Sequence, residues 1–422
     1  MADSPSVCVI GLGYIGLPTA VVLARHGVRV HGVDVKRETV DAVNDGRVPF
    51  VEVGLAASLQ LAHSSGLLTA GDHPVPADTY IIAVPTPFLA HRQPDMSFVK
   101  AAVTSISPLL KDDSLVILES TSPPGSTRRI DDWIQGLRPD LAAIGACVHV
   151  AYCPERVLPG NIMKELVTND RIIGGLTETA SARAAAIYGT FCQGELLVTN
   201  ATTAEMVKLA ENAYRDVNIA FANELSLISD SVGVNVWETI RLANHHPRVN
   251  ILQPGPGVGG HCIAVDPWFL VAADPKNSQL IRAARNVNDS KPAHVLSQIK
   301  EAVADRPAPV IAALGLAFKP DIDDLRESPA RQIVNRLATE LPEATIRVVE
   351  PHISKLPPEL VTRPNVRLTT LGPAVDGADC VALLVNHRAF SERPCLSENA
   401  VVIDTRGTWT TRRRSGLATP NG

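Results

Sequence analysis

The chain has 422 residues, 45% hydrophobic and 20% charged, which is enough material for two or three cores. Its 39 basic and 44 acidic residues leave a net charge of -5, a balance that argues against a protein held to nucleic acid by phosphate contacts. No apolar run approaches the roughly 18–20 residues that cross a bilayer, and seven cysteines without a C-x-x-C pair read as reduced thiols of a cytoplasmic protein.

The first six residues lack a basic segment, so the apolar run at 7–10 reads as a buried strand and not as part of a leader. A glycine turn at 11–16 follows, then a helical stretch over 17–26. Gly27 stops it, and a second strand over 28–33 ends at Asp34. Further apolar runs at 80–84, 115–118 and 148–151 each lead into turn residues. Strands alternating with helices predict a doubly wound parallel sheet, and the first domain is placed at residues 1–198. Thr202, with Glu205 three residues on, predicts a capping box opening a helix that runs to Gly233 inside an all-α middle domain, 199–304. After residue 305 the first pattern returns: a strand at 310–314, a glycine turn at 315–319, a helix at 329–341, and strands at 345–350, 380–385 and 401–404. A second Rossmann-like domain is expected over 305–407, then a loose tail over 408–422.

Gly11-Leu12-Gly13-Tyr14-Ile15-Gly16 is a G-x-G-x-x-G between a strand and a helix, with an acid closing the next strand. Gly11 permits the tight turn, Gly13 lets backbone approach a pyrophosphate, and Gly16 lets the helix pack closely on the sheet. The helix start offers free N–H groups to phosphate. Asp34 suits the ribose hydroxyls and repels a 2′-phosphate, which favours NAD over NADP. Thr86 and Thr121 sit in turns after strands of the same sheet, where ligands bind in open α/β folds.

Three further segments lack a packing explanation. On the long helix, Lys208, Asn212 and Arg215 fall at i, i+4 and i+7 on one face, opposite Met206, Ala213 and Val217. A solvated polar stripe is the plain alternative. The run from Pro254 to Gly260 holds four glycines and two prolines, which rules out helix or strand interior and delivers Cys262 at its end. A zinc site from His245, His246, His261 and Cys262 fits no familiar spacing. The third segment, Cys153-Pro154-Glu155-Arg156-Val157 onward, is a polar loop directly after a strand.

Taken in order, the glycine fingerprint, the S-T-S-P-P-G-S-T stretch with Thr121, P-E-R, the K-x-x-x-N helix, G-x-G-x-G-G-x-C and F-K-P resemble the UDP-glucose/GDP-mannose dehydrogenase family over about residues 7–407. The resemblance implies oxidation of a nucleotide-sugar alcohol to a uronic acid with two NAD+. It implies Cys262, Lys208, Asn212 and Asp266 as catalytic residues. Glu155, Arg156, Val157, Lys208, Asn212, Arg215, His246, Arg248, Gly259 and Lys319 would bind the nucleotide sugar, and Tyr14, Ile15, Asp34, Thr86, Thr121 and Arg326 would bind NAD. Where glucose enzymes of the family read G-G-S-C-F-P-K-D, this chain reads G-G-H-C-I-A-V-D, which turns the expectation to UDP-N-acetyl-D-mannosamine, with UDP-glucose or UDP-N-acetylglucosamine as alternatives. A homodimer or dimer of dimers, an arginine acting across it, and a role in cell-envelope polysaccharide synthesis are also implied. A two-electron hydroxy-acid dehydrogenase and a non-catalytic nucleotide-sugar sensor are the competing readings.

Overall fold

The computed structural model describes residues 6–50, 52–89, 92–158, 160–260 and 262–409, so His261 and the tail from residue 410 lie outside the described residues. The chain forms two compact units, Met1–Glu211 with Trp268–Pro275 and Asn212–Pro267 with Lys276–Gly422.

The first unit is built on eight strands: β1 (Ser6–Ile10), β2 (Arg29–Val33), β3 (Leu68–Gly71), β4 (Thr79–Ile82), β5 (Leu115–Leu118), β6 (His149–Tyr152), β7 (Arg171–Gly175) and β8 (Leu196–Asn200). Their order is β3-β2-β1-β4-β5-β6-β7-β8. All pairs are parallel except β6–β7, which run antiparallel. Alternate residues feed opposite faces. Val7, Val9, Ile81 and Ile117 enter one apolar core, while Cys8, Ile10, Tyr80, Ile82 and Val116 enter the other. Covering both faces is why these strands read as continuous apolar runs, each buried Val or Ile contributing roughly 1.5–3 kcal/mol.

The second unit repeats the plan with five strands: β9 (Val310–Leu314), β10 (Thr345–Val349), β11 (Val366–Leu368), β12 (Cys380–Leu383) and β13 (Val401–Asp404). Their order is β11-β10-β9-β12-β13, all parallel. Again the faces divide, Ile311 and Ala313 to one core, Ala312 and Leu314 to the other.

Four helices matter for the site: α1 (Gly16–Arg25), α2 (Ala201–Val232), α3 (Asp266–Ala273) and α4 (Gln279–Ala302). At 32 residues, α2 extends about 48 Å. Its start differs from the capping box expected of Thr202 and Glu205. Asn200 caps it instead, its Oδ1 accepting from Thr203 N–H at 2.9 Å. Glu205 is fully buried and caps another helix, Ser126–Leu137, by accepting from Gly125 N–H (2.6 Å) and from Thr127 N–H and Oγ1 (2.7 and 2.6 Å). A carboxylate there also suits the positive end of the helix dipole. Among the described residues no helix is long and apolar enough to cross a membrane.

Candidate functional site

The glycine turn of the first unit is built for close approach. Gly11 has φ +98°, and a Cβ on it would stand 2.6 Å from the Ala83 carbonyl oxygen. A Cβ on Gly16 would fall 1.8 Å from the Gly11 oxygen, so helix and turn admit no side chain there. At Gly13 the reverse holds: a Cβ would meet nothing within 4 Å. Packing does not require that glycine, whereas a phosphate lying against the backbone does. No side chain caps the start of α1, where Ile15 is the N-cap, so its first turn presents N–H groups outward.

Asp34 follows β2 and is part-buried. Its Oδ2 accepts from Leu12 N–H at 3.0 Å and its Oδ1 from Lys36 N–H at 2.9 Å, which fixes the carboxylate beside the glycine turn with lone pairs to spare for ribose hydroxyls. Tyr14 stacks on Phe50 with ring centroids 4.3 Å apart, a partner the sequence did not announce. Thr86 and Thr121, after β4 and β5, meet directly: Thr86 Oγ1 donates to the Thr121 carbonyl at 2.7 Å and ties the two loops together. These residues fit an NAD molecule. Bound there, it supplies a hydride acceptor.

Beneath this surface lies a buried polar cluster of which the sequence marked only Glu155 and Arg156. Glu119, at the end of β5, accepts from Tyr188 Oη at 2.7 Å and lies 4.0 Å from Arg171. Burial pushes its carboxyl up to about 7, against the lowering pull of Arg171. Glu155, 8% exposed, gives its carboxylate to Arg171 (2.7 Å) and to Arg156 N–H (2.7 Å). Arg156 in turn forks onto Glu211 at 3.0 and 2.5 Å and donates to the Asp170 carbonyl, while Val157 packs on the apolar core. An arginine inside a strand, Arg171 of β7, was the available signal for this cluster. Burial pushes the Cys153 thiol up to about 12, which makes it inert as a nucleophile.

On α2, Lys208 is 8% exposed and Met206 is 47% exposed. The polar position is the covered one here, against the plain expectation of a solvated stripe. Arg215 is exposed.

The second unit brings Asn212, Cys262 and Asp266 together. The Cys262 carbonyl accepts from Val265 and Asp266 N–H at 3.0 and 2.8 Å, closing a turn that leads into α3. Asp266 heads that helix at 2% exposure, and Asn212 Nδ2 donates to its Oδ2 at 2.5 Å. The preceding glycines are forced by their neighbours. A Cβ on Gly259 would stand 2.6 Å from the Glu327 carbonyl oxygen, and Gly260, at φ +82°, lies against the Phe318 ring and donates its N–H to the Arg326 carbonyl at 3.1 Å. The loop's other end hangs on a buried network between α2 and α4. Gly255 N–H donates to Asn223 (2.9 Å), Asn223 to Asn288 (2.8 Å) and Asn288 to Asp216 (2.7 Å), which also receives Arg285 at 2.5 Å.

Lys319 is part-buried in the loop after β9, and Arg326 in the same loop forks onto Asp324 at 2.6 and 2.9 Å. His246 and Arg248 are exposed, with Arg248 N–H donating to His246 Nδ1 at 3.3 Å. The expected NAD residues thus fall in the first unit except Arg326. The expected sugar-nucleotide residues are divided between the two.

Profiles of the UDP-glucose/GDP-mannose dehydrogenase family match residues 5–192 as its NAD binding domain, 202–290 as its central domain and 312–411 as its UDP binding domain. The UDP-N-acetyl-D-mannosamine dehydrogenase of Salmonella typhi is 54% identical over 418 residues, 96% of this chain and 99% of its own. The NDP-N-acetyl-D-galactosaminuronic acid dehydrogenase of Ralstonia nicotianae is 53% identical over 417 residues, 97% of this chain and 98% of its own. A solved UDP-D-ManNAc dehydrogenase from Pyrococcus horikoshii is 38% identical with a TM-score of 0.85, covering 96% of each chain. The chain belongs to the UDP-glucose/GDP-mannose dehydrogenase family and is an NAD-dependent nucleotide-sugar dehydrogenase.

Proposed function

We propose that the protein oxidises UDP-N-acetyl-D-mannosamine to the uronic acid in two steps through Cys262. The observation that carries this reading is the cluster of Asn212, Cys262 and Asp266 at the end of a glycine loop that its neighbours rigidly fix. A plain alcohol dehydrogenase has no use for a thiol delivered in this way. NAD+ bound at the glycine turn would supply the hydride acceptor for each of the two oxidations. Lys208 takes the proton of the sugar C6 alcohol as the aldehyde forms. The Cys262 thiol then adds to the aldehyde carbon and its proton passes to the carbonyl oxygen, giving a thiohemiacetal that keeps the half-oxidised sugar from leaving. Oxidation of that adduct leaves a thioester. Water adds to it and expels the thiolate, yielding the carboxylate. Asp266 orients or activates that water, and Asn212 holds Asp266 in place.

Arg156, Val157, Lys208, Asn212, Arg215, His246, Arg248, Gly259 and Lys319 bind the nucleotide sugar, with Arg215, Arg248 and Lys319 on its diphosphate. Glu155 serves by holding Arg156. Arg326 is assigned to NAD. Functional boundaries at 1–198, 199–304 and 305–407 go with these roles, as do a cytoplasmic location, a homodimer with Arg248 acting across it, and supply of a cell-envelope polysaccharide.

One observation favours a second sugar: the Ralstonia relative, of equal similarity, carries an N-acetylgalactosaminuronic name. Both sugars bear an acetamido group. NADH formation measured side by side with UDP-N-acetylmannosamine, UDP-N-acetylgalactosamine, UDP-N-acetylglucosamine and UDP-glucose separates them. The highest kcat/KM is expected with the mannosamine substrate, and a preference for any other overturns that assignment.

A further inference from the structure

In the first sheet, ligand space lies where the chain turns after β1 and β4, at Gly11 and Thr86. The second sheet has the same place, between β9 and β12, and a side chain fills it. His387 stands four residues past β12, as Thr86 stands four past β4. It is 1% exposed. Its Nδ1 accepts from Asp321 N–H at 2.9 Å, which leaves Nε2 to carry the proton and donate to Glu350 Oε2 at 3.0 Å. Glu350 also takes Leu316 and Ala317 N–H on the same oxygen, at 2.8 and 3.0 Å. Asp321, His352 and His387 place ligating atoms within 4.8 Å of one another. Yet both ring nitrogens of His387 are engaged, so the group is a clamp and not a metal site.

The clamp holds an unfavourable backbone. Asp321 sits at φ +60°, a left-handed conformation uncommon for a residue with a side chain, and Arg388 fixes its carboxylate from outside through N–H (3.0 Å) and Nε (2.8 Å). Two residues before Asp321 is Lys319. Further on, the Arg326 and Glu327 carbonyls abut Gly260 and Gly259, next to Cys262.

We propose that His387 is a positioning residue for the nucleotide-sugar site: by joining Glu350 to Asp321 N–H it fixes the 316–327 loop, and through it Lys319 and the glycine loop before Cys262. This rests on the assignment of Lys319 to the diphosphate. Histidine is chosen because it can accept at one nitrogen while donating at the other.

The test uses steady-state kinetics of the full chain with the preferred UDP-sugar varied at saturating NAD+. In His387→Asn the amide oxygen keeps an acceptor near the Nδ1 position and loses the reach to Glu350. In His387→Gln the longer amide keeps Glu350 and leaves Asp321 N–H without an acceptor. Each change cuts the join on one side, so His387→Gln and His387→Asn are both expected to raise KM for the nucleotide sugar about tenfold, as for one lost hydrogen bond, with KM for NAD+ unchanged. Wild-type KM for the nucleotide sugar in either variant overturns the proposal. Arg388→Ala keeps the test open should both variants misfold. That side chain is 89% exposed, so the fold tolerates its loss, and a KM rise of about threefold is expected, wild-type KM being the contrary result. Lys319→Ala separates the two levels: unchanged KM there removes the diphosphate assignment and His387's role with it. A raised KM there, with His387→Gln at wild type, removes the role of His387 alone.

Discussion

At Gly11 and at Gly315 the backbone makes the same turn, φ +98° in both, and both N–H groups donate to the end of the neighbouring strand, Val33 at 2.7 Å and Val349 at 2.8 Å. An acid closes that strand in each sheet, and each acid accepts from the residue after the glycine, Leu12 to Asp34 at 3.0 Å and Leu316 to Glu350 at 2.8 Å. The two sheets part company beyond this point. Asp34 is part-buried and, among the described residues, meets backbone N–H groups, whereas Glu350 is 4% exposed and saturated by three donors on one oxygen and His352 N–H on the other. One turn is open to a dinucleotide and the other is sealed by a histidine. What stands four residues past the neighbouring strand differs with it: Thr86, tied to the Thr121 carbonyl, in the first sheet, and His387, donating to the acid, in the second.

The acids are the first place to break this comparison. Asp34→Ala is expected to raise KM for NAD+ roughly 10–100-fold, the cost of hydrogen bonds to a charged group, with KM for the nucleotide sugar unmoved. Equal KM values for NAD+ in variant and wild type would refute the open-turn reading. Glu350→Gln should leave KM for NAD+ alone and lower stability by about 1–3 kcal/mol, read as a fall in denaturation midpoint. Burial alone would raise the Glu350 carboxyl, but the hydrogen bonds from His387, Leu316 and Ala317 hold it below the ordinary glutamate value. Its contribution is therefore present above the unfolded value and fades as pH falls through the folded one.

Glu119 has the opposite sign. The unfolded chain releases its proton near 4.5 and the folded chain near 7, so stability declines as pH rises between those values and then levels. Glu119→Gln should flatten that decline in the thermal midpoint; a slope identical to wild type would show that Arg171 compensates the charge.

Much of the fold could be read from the chain because β1, β4, β5, β9 and β12 are buried on both faces and appear as unbroken apolar runs. Three strands of the first sheet were not legible, each for a physical reason. In β3 only Leu68 is buried, β7 carries a buried arginine and two glycines, and β8 exposes Val198 at 59%. The glycine fingerprint declared itself because positive φ at Gly11 and close packing at Gly11 and Gly16 leave no other residue possible there. Glu119, Glu211 and His387 stayed hidden because their partners lie far off in sequence, and nothing local marks a polar side chain whose neighbour is 37 or 55 residues away. Glu205 misled for the same reason, its partner being a helix start 78 residues earlier.

The central claim is that one sulfur retains the half-oxidised sugar between two hydride losses. Counting NADH against uronate, with Cys262→Ala beside the wild type, addresses it directly. Two NADH per acid from the wild type, and no acid from the variant, is the predicted result. Acid made by Cys262→Ala at the wild-type rate, or one NADH per sugar from the intact protein, would contradict it.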